Sequence, residues 1–239
     1  MVLSAESSDA GYDEVAWINL TIRDAETGEL LDTTVEEIAK KEGKYSEEDL
    51  YLPILVIAGE GAVFKKIEDF VRSSKEGDRA TLELEPEEAF GEHDPKKIKV
   101  FSIKRLERDG IRDVKKGDYV KINREIGKVI SVDGGRVRID FNHPMAGKRL
   151  KVEVEILSRP KTREELIKSL VISRFEIPLD SDVDVEILDG SVRIRIPPVA
   201  YTKRDAFSRK LKVVSDLMKR MEGIERVSFI EEYEIPERS

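Results

Sequence analysis

The chain has 239 residues, more than one small core needs and enough for two or three modest domains. Its 39% hydrophobic and 38% charged content is that of a chain that folds, since disordered chains lack the apolar residues to offset ordering entropy. A net charge of −8 repels a phosphate backbone overall, and the absence of cysteine excludes disulfides, thiolate nucleophiles, iron–sulfur clusters and thiolate zinc sites.

The opening MVLSAESSDAGYDE has neither a basic start nor an apolar run. No stretch approaches the ~20 apolar residues that span a bilayer, so a soluble chain in a reducing cytoplasm, away from membranes, is expected. Val15 to Ile22 then alternates apolar and polar residues around Trp17, Asn19 and Thr21, which predicts a half-buried strand with Trp17 in the core. A turn at Asp24 to Gly28 leads to a short strand, Glu29 to Asp32. Thr34-Val35-Glu36-Glu37 opens a helical stretch with the spacing of an N-terminal cap. Leu50 to Ala58 is an apolar run broken by Pro53, which predicts a buried strand with an irregular entry. Val63, Ile67, Phe70 and Val71 recur at helical spacing before a turn at Gly77-Asp78 and a strand from Ala80 to Leu84.

Ala89 to Pro95 reads as a loop, followed by strands at Lys99 to Ile103, Tyr119 to Ile122, Ile126 to Val132 and Arg136 to Phe141. Asp133-Gly134-Gly135 marks a hairpin between the last two. Leu150 to Leu157 is a period-two strand, and Pro160 opens a linker at which a domain should end. Beyond it come a capping box at Thr162 to Glu165 and a hairpin through Asp189-Gly190. A helix over Lys203 to Met221 is predicted to place Phe207, Leu211, Val214, Leu217, Met218 and Met221 on one face. A strand from Arg226 to Tyr233 completes a small α/β sandwich.

Two histidines, no cysteine, no phosphate-cradling loop and no His-Glu-x-x-His pattern leave acid–base and metal chemistry without support. What remains is apolar residues beside turns and glycines, suited to a concave apolar pocket.

Five stretches now stand out: Gly28-Glu29-Leu30-Leu31-Asp32-Thr33-Thr34, the charged helical insertion after it, Pro53 to Gly61, Ala89-Phe90-Gly91-Glu92, and Asn142-His143-Pro144-Met145-Ala146-Gly147-Lys148-Arg149-Leu150. In these the chain resembles the FKBP-type peptidyl-prolyl cis-trans isomerases, specifically the SlyD-like branch that carries an insert and, in archaea, a C-terminal extension. The resemblance implies an α+β fold. Residues 13–91 and 142–159 would form an antiparallel sheet wrapped on a short helix, 92–141 an inserted β-rich chaperone domain, and 160–239 a C-terminal α/β sandwich.

It also implies a proline pocket. Ile22 falls on the first-strand wall, Leu31 and Asp32 on the apolar wall and acidic residue of the following turn, and Ile54 on the next strand's wall. Val63 and Phe64 match the pair whose second backbone N–H receives a substrate carbonyl. Ile67 matches the floor, Phe90 the aromatic of the Ala-Tyr-Gly loop, and Val152 the usual Phe of the last strand. Phe90 lacks the usual hydroxyl, Ile22 and Val152 replace aromatic walls, and Lys65-Lys66 stands where Pro-Gly is expected. Two readings of Asp32 stand: it orients or polarises the bound amide, or it caps the helix near Thr34.

The expected clients are unfolded or proline-containing polypeptides. Ile98, Val100, Phe101 and Ile103 are candidates for the insert's chaperone surface, against a reading that makes most of them core. His93 and His143 are read as structural, so neither metal nor cofactor is expected. The resemblance implies homodimerisation through the C-terminal domain. The run Lys203, Arg204, Arg209, Lys210, Lys212, Lys219 and Arg220 would serve a ribosomal RNA contact or a solvated helix face.

Overall fold

A computed structural model describes residues 12–233 and 235. In chain order its elements are β1 (Val15–Asp24), β2 (Leu30–Thr33), α1 (Glu36–Lys41), β3 (Ile54–Ile57), α2 (Lys65–Ser73), β4 (Arg79–Leu84), β5 (Ile98–Ser102), α3 (Ile103–Arg108), β6 (Tyr119–Ile122), β7 (Glu125–Asp133) and β8 (Arg136–Asp140). The chain continues through β9 (Leu150–Ser158), α4 (Arg163–Phe175), β10 (Asp184–Leu188), β11 (Ser191–Ile196), α5 (Pro198–Tyr201), α6 (Ala206–Arg220) and β12 (Arg226–Glu231). Among the described residues no helix is long and apolar enough to cross a membrane. The chain forms two compact units. The smaller holds Asp24–Glu26 and Glu83–Leu150, and the larger holds the remaining described residues.

In the larger unit the strands run β2-β1-β9-β4, with β3 also pairing with β1. Ile22 lies opposite Asp32, and Ile18 opposite Ile54. Residues directly opposite share a face, so these four belong to one side of the sheet. Alternation sends Val15, Trp17 and Leu55 to the other side, where with Leu157 they join a core built by the C-terminal elements. There α4 buries Leu166, Ile167, Ser169, Leu170, Val171, Ile172 and Phe175, nearly all round its axis, because it lies against both this sheet and the C-terminal strands. Trp17 is in the core, and its indole N–H donates to Ser169 Oγ at 3.1 Å. Where α4 no longer covers that side, β1 continues with Asn19 and Thr21 lining an open cleft of mixed character, with Arg79, Thr81, Glu153 and Glu155 beside Val35, Ile38 and Val154.

Pro160, expected to open a linker, is buried, and the C-terminal segment shares one core with the sheet. The preceding Arg159 donates to the carbonyls of Val15 at 3.2 Å, Ser74 at 2.9 Å and Val71, tying the end of α2 to the start of β1. The C-terminal sheet runs β10-β11-β12, with β11 parallel to β12 and α6 in the crossover between them. Only Ile54–Ile57 of the apolar run at 50–58 is strand, since Pro53 withholds a ladder donor. The predicted cap of α1 is absent: Val35 is its N-cap, and the Thr34 hydroxyl donates to Asn19 Oδ1 at 3.1 Å instead.

The smaller unit is a four-stranded antiparallel sheet, β5-β8-β7-β6, with α3 against it. Helix α3 replaces the predicted end of a strand at Ile103, because Ser102 Oγ accepts the Arg105 N–H at 3.3 Å and starts a helix there. The unit's two pieces are joined to each other: Lys148 Nζ meets the buried Asp24 carboxylate at 2.6 Å, and the Ala25 N–H donates to the Arg149 carbonyl at 3.0 Å.

Candidate active site

Strand register places Ile22, Asp32 and Ile54 on the sheet face not taken by α4. Ile22, Leu31, Ile54, Val63 and Phe64 are partly exposed, whereas Ile67 and Val152 are 1% and 0% exposed. Ile67 therefore suits a floor. Val152, expected as a wall, is a core residue: it lies on β9 among Leu150, Val154 and Ile156, all buried.

Asp32 is exposed, and its carboxylate accepts the Thr33 N–H at 2.8 Å. That bond pins the side chain locally and does not cap α1, whose N-cap lacks a side-chain bond. Thr33 is itself fixed, 2.9 Å from the Thr21 hydroxyl and accepting the Val35 N–H at 3.1 Å. Asp32 and Leu31 face a cavity of about 300 Å³ that also contacts Lys44, Asp49, Leu50 and Tyr51. The sequence pattern had assigned none of these last four to the site. Tyr51 is held there by stacking on Tyr45, with ring centroids 5.6 Å apart, and by accepting the Ser46 N–H at 3.0 Å.

The entry to α2 follows the turn Gly59-Glu60-Gly61, in which both glycines have positive φ, +100° and +69°. Phe64 is the N-cap, and its carbonyl accepts from Ile67 at 2.8 Å. Lys65 and Lys66, found where Pro-Gly was expected, take the first two helical positions and point to solvent. Lys65 pairs with Asp69 at 2.9 Å, so the helix starts despite them. The turn is tied from two sides. Buried Glu68 accepts the Gly59 and Gly61 N–H groups at 3.0 and 2.7 Å, and Glu60 is ion-paired to Arg220 of α6. Burial holds the Arg220 guanidinium below its ordinary pKa, and Asp216, itself 2.6 Å from Arg174, lies 3.3 Å away from it. Neither Glu68 nor Arg220 was legible as a site residue, because the groups through which they hold the turn, Gly59, Glu60 and Gly61, lie outside their own helices.

Phe90 belongs to the smaller unit. Its ring stacks on His143 with centroids 4.1 Å apart and planes 5° from parallel. His93 Nε2 lies 2.8 Å from Asp140 Oδ2, and Asn142 donates to the same carboxylate from its backbone at 2.8 Å and its side chain at 2.7 Å. Burial works against the Asp140 charge. The bonds from Asn142 and His93 outweigh it and hold its carboxyl below the ordinary carboxylate value. Both histidines thus have structural partners, and no group of three or more metal-capable side chains occurs among the described residues.

Of the four residues expected on the chaperone surface, only Val100 is well exposed. Phe101 is a core residue, Ile103 packs against that core and Ile98 is half-buried, because alternation along β5 turns Phe101 inward. In the basic C-terminal run Arg209 pairs with Asp205 and Glu176, Lys210 with Glu231, and Arg220 with Glu60 and Asp216. These three cations are engaged within their own unit, which reduces the charge open to an RNA.

Family models described as "FKBP26, IF domain" and "FKBP26_C-terminal" match residues 99–145 and 163–234. A short-type peptidyl-prolyl cis-trans isomerase of Methanocaldococcus jannaschii is 31% identical over 129 residues, covering 54% of this chain and 82% of that protein. A probable FKBP-type 16 kDa peptidyl-prolyl cis-trans isomerase of Pseudomonas fluorescens is 34% identical over 110 residues, 44% of this chain and 71% of the relative. The isomerase SlyD of Aeromonas hydrophila is 30% identical over 157 residues, 64% of this chain and 66% of its own.

Proposed function

This chain belongs to the FKBP-type peptidyl-prolyl cis-trans isomerases, and we propose that it is a cytoplasmic folding helper that speeds rotation about Xaa-Pro bonds while its insert holds unfolded polypeptide. The observation that carries the isomerase reading is the shared face of Ile22, Asp32 and Ile54, on the side of the sheet opposite α4.

Peptide resonance leaves a rotation barrier of ~18–20 kcal/mol, and Xaa-Pro bonds populate both isomers slowly enough to limit folding. No bond is made or broken in lowering it. An apolar surface favours the twisted amide, which has less charge separation than the planar one. Ile67 lies beneath the proline ring, Ile22, Leu31, Ile54 and Val63 flank it, and the backbone N–H of Phe64 donates to the neighbouring carbonyl. Asp32 orients the amide by its charge. Removing ~4 kcal/mol from the barrier speeds rotation nearly a thousandfold.

The test is cis-to-trans relaxation of a short Xaa-Pro peptide without coupled proteolysis. Wild type accelerates relaxation, and Ile67→Ala and Asp32→Ala each lower kcat/KM at least tenfold. A folded wild type that gives no acceleration but still suppresses aggregation would leave a chaperone or adaptor with a decayed pocket. The insert is joined to the sheet through two chain crossings, so a held client would stay at high local concentration without new chemistry. Self-association belongs to the same reading. Phe207, Leu211 and Met218, at i, i+4 and i+11 of α6, are exposed and form an apolar stripe that a second copy can cover.

A further inference from the structure

Residues 92–141 contain 14 Lys and Arg against 9 Asp and Glu, a net +5 inside a chain of −8, so the rest of the molecule carries −13. Among the described residues only two of these cations make ion pairs, Lys99 with Glu125 at 3.2 Å and Arg105 with Asp109 at 3.8 Å. The smaller unit's core takes Phe101, Val120, Ile122, Val129, Val137 and Ile139 from one side of its sheet. On the other side three exposed apolar residues each lie opposite a cation: Val100 opposite Arg138, Tyr119 opposite Lys128, and Ile126 opposite Lys121. Cross-strand neighbours sit ~5 Å apart, so each of these apolar groups lies beside a positive one, and the carboxylate of Asp140 stands opposite Lys128 on the same side. A groove of about 430 Å³ begins at Tyr119, Ile126 and Lys128 and ends at the loop of Asn142, His143 and Pro144.

We infer that this face binds unfolded polypeptide segments whose apolar residues are flanked by Asp or Glu, and selects them over lysine- and arginine-rich segments. The inference rests on the reading of the insert as the client-holding part. An unfolded client brings apolar side chains to Val100, Tyr119 and Ile126, and its neighbouring carboxylates meet Lys121, Lys128 and Arg138, which make no ion pair among the described residues, Lys128 lying over the Tyr119 ring. Basic clients are repelled by the same cations. A single-stranded nucleic acid is the poorer match, because such sites stack successive bases on several aromatics and this face offers only Tyr119 among its exposed residues.

The test uses the full chain and two fluorescent, proline-free peptides with one apolar centre, flanked by Glu in one and by Lys in the other. The glutamate-flanked peptide is expected to bind at least tenfold more tightly at low salt, with a preference that shrinks as salt rises. Combined Lys121→Glu, Lys128→Glu and Arg138→Glu changes should reverse the preference and leave Xaa-Pro relaxation of a short peptide unchanged. Tyr119→Ser with Ile126→Ser should weaken both peptides. Equal affinity for the two peptides in wild type would overturn the charge selection. Displacement of the acidic peptide by single-stranded RNA whose own binding survives the serine changes would overturn polypeptide as the partner. Wild type that binds neither peptide and suppresses no aggregation would instead remove the client-holding reading beneath it.

Discussion

A carboxylate that is 7% exposed has little water to solvate it, and Glu68 replaces that water with the N–H groups of Gly59 and Gly61. Both glycines sit at positive φ, a conformation side chains resist, so the turn is shaped by glycine and held by one glutamate. Hydrogen bonds to a charged group are worth about 1.5–3 kcal/mol each. Glu68→Ala should therefore cost about 2–4 kcal/mol in urea unfolding. It should also lower kcat/KM for an Xaa-Pro peptide, because the turn leads directly into Phe64. Glu68→Gln, which keeps one acceptor oxygen, should fall between the two. An alanine variant of wild-type stability and activity would show that the turn stands without its carboxylate. In the sequence this glutamate was one acid on a charged helix. Asp32, by contrast, was legible because the stretch from Gly28 to Thr34 carries a pattern of its own.

Strands β7 and β8 impose a different constraint on a glycine. Gly127 has an ordinary φ, yet a Cβ there would sit 2.5 Å from Ile139 Cγ2 and 2.8 Å from the Phe141 ring. Ile139 is fully buried and cannot step aside without disturbing the core of the sheet. Gly127→Ala should destabilise the smaller unit by about 1–3 kcal/mol, the usual cost of overpacking. Hydrogen exchange should show protection falling across β5–β8 while amides of α4 and α6 keep theirs. Uniform loss across the chain, or none, would contradict a local clash. The hairpin at Asp133-Gly134-Gly135 was readable from its turn residues alone. The inward turn of Phe101 was not, because a short apolar run does not announce which of its two faces meets a core. Helix α6 posed the same difficulty. Of its predicted single apolar face, Leu217 and Met221 are buried, whereas Phe207, Leu211 and Met218 are exposed, and Val213, outside that prediction, is fully buried.

At the scale of the whole molecule the larger unit runs from the isomerase strands into the C-terminal strands without an interruption in its core. The turn at Pro160 read as a boundary because proline and a following capping box mark the end of one element and the start of another. Neither signal reveals that α4 is apolar nearly all round because two sheets enclose it. The exposed row of α6 makes its own prediction at this scale. Wild type should sediment as a dimer at micromolar concentration, and Phe207→Ser with Met218→Ser should shift it to monomer with unchanged circular dichroism. A monomeric wild type would remove the proposal.

The indole of Trp17 is the only one in the chain, and it lies where α4 meets the isomerase sheet, bonded to Ser169. Emission excited at 295 nm, roughly the red edge of tyrosine absorption, therefore reports on this one seam. Parting of α4 from β1 would shift the spectrum to the red, whereas unfolding confined to β5–β8 would leave it unchanged. The protein thus carries a built-in optical label that separates the fate of its C-terminal elements from that of its insert.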